Sequence, residues 1–76
     1  MRTYDKIETV NELNMTSRYY NIYVTKYNRT LKQYDNIISN ITKTNAKPRL
    51  PHLARKLDYL QSKITEIGNI LESEYS

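Results

Sequence analysis

Between Leu13 and Ile41 the sequence repeats every seven residues, a pattern that leaves a chain few folds to choose from. Tyr20-Asn21, Tyr27-Asn28 and Tyr34-Asp35 open successive units, and Val24, Leu31 and Ile38 follow each Tyr by four residues. With Val10 as position a, the a sites hold Val10, Ser17, Val24, Leu31 and Ile38, and the d sites hold Leu13, Tyr20, Tyr27, Tyr34 and Ile41. A 3-4 alternation of this length keeps one apolar seam along one side of a helix, the condition for left-handed coiled-coil packing. The stretch is therefore a helix built to be paired. Tyrosine at d is an odd choice for a two-stranded zipper, because the ring is long and its hydroxyl wants a polar partner or a wet edge. The pattern predicts a broader bundle.

The heptad returns after one interruption. Thr44-Asn45-Ala46-Lys47-Pro48-Arg49-Leu50-Pro51 offers an Asn suited to a helix end and then two prolines, the second well placed at the first position of a new helix. Beyond it Leu53, Leu57, Leu60, Ile64, Ile67 and Leu71 step by 4, 3, 4, 3 and 4. If the chain folds back at residues 45–50, residue numbers facing each other across the hairpin should add to a constant. Ile41 with Leu53 gives 94, Ile38 with Leu57 gives 95, Tyr34 with Leu60 gives 94, and Leu31 with Ile64 gives 95. The predicted architecture is an all-α antiparallel helical hairpin with coiled-coil-like heptad seams. Its first helix covers 17–44, its basic, Pro-containing turn 45–50, and its second helix 51–76. Gly68 falls at e, beside the seam, and reads as a tolerated surface glycine near a fraying end.

Residues 1–16 are expected to form an N-terminal helical extension or a separate short helix. Asp5-x-x-Glu8 and Thr9-x-x-Glu12 both resemble helix starts, whereas Asn14-Met15-Thr16-Ser17 is the weakest helix-forming run and a natural joint. In the predicted register the pairing runs out at Tyr20 opposite Glu74. Ile7, Val10 and Leu13 are thereby left without an intramolecular partner, and each gains roughly 1.5–3 kcal/mol if buried. They are the candidate partner-binding residues.

A chain of 76 residues buries a small share of its surface, and its usual remedies are staples or partners. There is no Cys and only one His, so disulfides and a zinc site are not available, and oligomerisation remains. A homodimer forming a four-helix bundle is expected, with Tyr20, Tyr23, Tyr27, Tyr34 and Ile37 as candidate self-association residues. No apolar run has signal-peptide or membrane-span length, so a cytoplasmic or otherwise intracellular protein without a membrane partner is expected. The abundance of Tyr, Asn, Ile and Lys matches A/T-rich codons, as in phages, other viruses, parasitic bacteria and some yeasts, and describes the genome more than the fold.

No catalytic, cofactor-binding or metal-binding residues are expected. His52 stands alone among cations, no Gly-rich phosphate loop is present, and the carboxylates are scattered along exposed helix positions. Charge says more. Lys43, Lys47, Arg49, His52, Arg55 and Lys56 crowd the turn with no acid among them. Arg55 and Lys56 sit at a helix start whose dipole is already positive, which costs a few tenths of a kcal/mol each unless an anion is near. Lys47, Arg49, His52, Arg55 and Lys56 are therefore candidate contacts for an anion or an acidic partner. Arg18, Lys26, Arg29 and Lys32, interleaved with Tyr19, Tyr23 and Tyr27, extend a possible nucleic-acid surface, although a net charge of +4 is modest for such a binder. The expected function is a small non-enzymatic interaction protein, an adaptor, assembly subunit or regulator acting by self-association and protein docking. The alternative is a small nucleic-acid-binding regulator that uses the basic turn.

Two short stretches carry family resemblances. Ala46-Lys47-Pro48-Arg49-Leu50-Pro51 with Gln61-Ser62-Lys63-Ile64-Thr65-Glu66 resembles the Pro-x-x-Pro turn and following helix of type III secretion needle subunits, and Leu57-Asp58 resembles part of a motif of small sporulation phosphatases whose preceding Ser-Gln is here Ala54-Arg55. Each covers under a third of the chain and implies a helical hairpin.

Overall fold

The computed structural model describes residues 3–40, 45 and 47–75, with the backbone alone for Tyr75. Two long helices, α1 (Met15–Ser39) and α2 (Leu50–Tyr75), pack as a hairpin joined by a short 3-10 turn, Lys47–Arg49. No strand occurs among the described residues. Ile41, Lys43 and the rest of the predicted end of the first helix, 41–44, lie outside the described residues.

The first helix begins at Asn14, and the reason is local. The Asn14 side chain accepts from the Ser17 backbone N–H at 2.9 Å. The Ser17 hydroxyl in turn accepts from the backbone N–H groups of Asn14 (3.0 Å) and Leu13 (2.8 Å). This reciprocal cap satisfies donors that a helix start leaves orphaned, and it buries Ser17, a polar residue at an a site, to 1% exposure. Residues 3–13 are not helical, so neither a helical extension nor a short N-terminal helix forms. An isolated helix of that length is marginal in water, and the main chain of Ile7 and Val10 finds side-chain partners on α1 instead.

The core follows the heptad. Val24, Tyr27, Leu31 and Tyr34 from α1 meet Leu53, Leu57, Leu60 and Ile64 from α2, all buried, with Val24, Tyr27 and Leu57 at 0% exposure. Thr30 is buried beside this seam and donates its hydroxyl to the Lys26 carbonyl at 2.9 Å, so its polarity costs little there. Near the turn Ile37 is buried and Ile38 only half-buried, the reverse of the heptad assignment.

The register differs from the expected one by about a heptad. A Cβ placed on Gly68 would lie 3.4 Å from the Tyr20 ring, a pair adding to 88. Glu74 accepts from the Thr16 hydroxyl at 2.9 Å and from the Asn14 amide at 3.0 Å, pairs adding to 90 and 88. Continuing this register toward the turn sets Val24 across from Ile64, Leu31 from Leu57 and Tyr34 from Leu53. The expected layers, Leu31 with Ile64 and Ile38 with Leu57, are replaced by these. A seven-residue repeat is blind to a seven-residue slip, because the same side chains meet the same kind of neighbour. The end of α1 at Ser39, five residues short of the predicted Thr44, leaves enough chain before Lys47 for the slipped return. As a result α2 reaches the very start of α1, and no unpaired overhang remains. Gly68 also faces Tyr20 rather than open solvent.

Candidate functional site

The most organised site is the groove beside α1 that holds residues 4–10. Asn28 pairs with the main chain of Ile7 in both directions, accepting from its N–H at 3.1 Å and donating to its carbonyl at 2.8 Å. Asn21, one heptad earlier, does the same for Val10, at 2.8 Å and 2.6 Å. The spacing is set by arithmetic: three residues of extended chain span about 10 Å, and seven residues of α-helix rise about 10.5 Å. A heptad of asparagines therefore meets every third residue of an extended arm running antiparallel to α1.

Side chains fix the far end of the arm. Tyr4 packs edge-on against Tyr34, ring centroids 5.4 Å apart at 88°. Its hydroxyl donates to Asp58 at 3.0 Å and lies 3.4 Å from the Ala54 carbonyl. The Tyr27 hydroxyl donates to the Asp5 carbonyl at 2.8 Å. Burial raises the Tyr27 pKa above its ordinary value, and the carboxylates of Asp5, Asp35 and Asp58 add to the effect. The phenol thus stays a neutral donor. Charge also matches across the groove: residues 3–13 contain Asp5, Glu8 and Glu12 against Lys6, whereas α1 contains Arg18, Lys26, Arg29 and Lys32 against Asp35.

The opposite side of the seam carries no arm. There Tyr23, Lys26, Arg29 and Thr30 of α1 and Lys56, Tyr59 and Leu60 of α2 line a hollow of about 440 Å³. The Lys26 ammonium lies 5.8 Å from the centre of the Tyr23 ring, and Lys63, a turn beyond, lies 6.0 Å from that of Tyr59. Among the described residues this side joins cations to aromatic faces.

The residues singled out from sequence fall in different places. Of the candidate partner contacts, Ile7 is half-buried against the core of its own chain, while Val10 and Leu13 are 42% and 70% exposed. With Leu71 they line a shallow hollow at the open end of the hairpin, opposite the turn. Lys47, Arg49, His52, Arg55 and Lys56 are all exposed around the turn. Of the candidate self-association residues, Tyr27, Tyr34 and Ile37 lie in the internal core, and Tyr20 and Tyr23 are half-buried against it. Among the described residues no cluster of three potential metal ligands occurs, and no helix is long and apolar enough to cross a membrane.

Asn21 and Asn28 were not singled out by the sequence reading. The signal was nevertheless present, as a polar side chain capable of pairing both ways at the same heptad position, directly after each Tyr. Nothing in the sequence said what the pair would bind until the arm was seen to be extended. No family model, curated protein or solved structure matches the chain, so the family resemblances at the turn and second helix gain no support.

Proposed function

We propose that this chain is a non-enzymatic interaction module whose hairpin docks a protein partner at its open end. One observation carries the reading. Of the seven large apolar side chains that stay exposed among the described residues, Val10, Leu13, Met15, Tyr19, Ile22 and Ile70 belong to the half of the hairpin away from the turn, and Tyr59 does not. Single exposed apolar residues are ordinary, but a concentration of them at one end is what a docking surface needs. Met15, Tyr19 and Ile22 step by four and three along one face of α1, a seam on which a second hairpin can complete a four-helix bundle. The test is sedimentation from micromolar to millimolar concentration. Association that vanishes in Met15→Asp/Ile22→Asp supports the reading, and a monomer throughout removes the self-associating form of it.

A second reading, contact with single-stranded nucleic acid, is favoured by the open hollow of Tyr23, Lys26, Arg29, Lys56 and Tyr59. Aromatic faces among cations stack bases and neutralise phosphates. Affinity for an oligonucleotide should then fall steeply with salt, with a log-log slope of about −0.7 per phosphate neutralised. Protein docking through the apolar end would be nearly indifferent to salt.

A further inference from the structure

We infer that the groove formed by Asn21, Asn28, Tyr34 and Asp58 is a docking site for an extended, acidic segment of another polypeptide, and that residues 4–10 are its resident occupant in cis. Its walls are other residues than those of the apolar open end, although the resident arm shares Val10 with that end. Three features support it. First, the recognition is of main chain: two asparagine amides, a heptad apart, each satisfy both the N–H and the C=O of one residue, so any segment that presents these groups three residues apart is accommodated. Second, side-chain selection is confined to one well, where a phenol reaches Asp58 at 3.0 Å and stacks edge-on with Tyr34. Third, the groove is only partly filled. Beside Lys6 a hollow of about 550 Å³ opens between Asn28, Arg29, Lys32 and Asp35, and its basic rim suits a carboxylate better than the lysine that now lies against it.

These features define the partner's chemistry. It is an extended segment with tyrosine at one position, an aliphatic residue three further on and a non-proline residue three beyond that, with an acid in place of Lys6. The arm holds the groove at the high effective concentration of a tethered ligand. A free segment therefore enters only when the arm lets go. Release gives up the asparagine pairs and the Tyr4 hydroxyl contacts to Asp58 and the Ala54 carbonyl, and breaks no hydrogen bond within either helix.

The experiment uses the full chain and a fluorescent peptide with the sequence of residues 3–13, its Lys6 replaced by Glu. In Tyr4→Ala/Ile7→Asp the resident arm is weakened while the groove stays whole, and the peptide should bind at least tenfold more tightly than it binds the unaltered chain. Adding Asn28→Ala should reverse the gain. Methylating the peptide nitrogen at Ile7, which must donate, should abolish binding, whereas methylating that at Glu8 should leave it. Failure of the folded variant to take up the peptide overturns the proposal, as does equal loss from both methylations. If the variant does not fold, amide exchange in the unaltered chain decides. Ile7 and Val10 amides exchanging at least tenfold faster than those of Val24 and Leu31 support a releasable arm, and exchange only with global unfolding overturns it.

Discussion

The two sides of the helical seam face the same problem and solve it differently. On one side the edges of the tyrosine-rich core are closed by a strand of the chain itself, held by neutral asparagine amides. On the other the same helices present half-exposed Tyr23 and exposed Tyr59 among Lys26, Arg29 and Lys56, and nothing from the described chain crosses them. The difference shows what tyrosine at d is for. Its ring is too long for a two-helix seam and its hydroxyl needs a partner; at Tyr27 the partner is the Asp5 carbonyl, 2.8 Å away. On this side the seam is widened by a third segment of extended chain.

Both sides should fail together if the core beneath them is removed. Leu57 is fully buried at the centre of the seam, and Leu57→Ala should cost about 2–5 kcal/mol. Urea unfolding should shift by that amount, and the arm and the open side should lose structure together. An arm that detached while the helices kept their stability would mean that the arm, not the seam, feels Leu57.

Smaller changes should separate the sides. Asn28→Ala removes two hydrogen bonds to Ile7 and Asn21→Ala two to Val10, each bond worth about 0.5–1.5 kcal/mol net. Each substitution should speed exchange of the matching arm amide and leave helix content by circular dichroism unchanged. Lys26→Ala and Lys56→Ala on the open side should stay within about 0.5 kcal/mol of the parent. Equal losses on both sides would erase the distinction.

Alkaline titration tests the same contact by another route. The neutral Tyr27 phenol is the form that donates to Asp5, and its folded pKa is raised above the ordinary 10.0 by burial and then by nearby carboxylates. A raised folded pKa means that the contribution is complete below pH 10 and is lost as the pH climbs through the folded value. Phenolate absorbance should therefore carry a late component above pH 10 from Tyr27, with the arm released in the same step. Tyr27→Phe should abolish that late step at a cost of about 1 kcal/mol. A Tyr27 that ionised at the ordinary 10.0 would show that its hydroxyl is not held.

Much of the helical part was legible because periodicity is a strong signal. Leu53, Leu57, Leu60 and Ile64 form the α2 half of the core where the 4-3 stepping put them, and the Pro48 to Pro51 turn separates the helices as its chemistry requires. Two things were hidden. The pairing of Leu31 with Leu57 instead of Ile64 depends on where α1 ends, and a repeat carries no information about slips by its own period. The arm was hidden because Ile7, Val10 and Leu13 have helical spacing, yet three residues apart also suits an extended chain crossing a heptad of amides. Local pattern could not choose between these, since the deciding partners, Asn21 and Asn28, lie elsewhere in the sequence.

The slip itself can be sharpened at Gly68. In the expected register Tyr20 faces Glu74 and Gly68 is an open surface position, so Gly68→Ala would return the full helix-propensity gain of about 1 kcal/mol. In the observed register the added methyl meets the Tyr20 ring at 3.4 Å, an ordinary contact with a side chain that can tilt. Gly68→Ala should then still stabilise, by up to about 1 kcal/mol, while Gly68→Leu should not, because three further carbons have no room beside a half-buried ring and overpacking costs about 1–3 kcal/mol. Trimming the opposing ring provides the control. Tyr20→Ala combined with Gly68→Leu should recover part of the loss, a coupling that only residues in contact show. Thermal unfolding of the four combinations measures it, and strictly additive effects would return Tyr20 to a place opposite Glu74 and restore the overhang at the start of the chain.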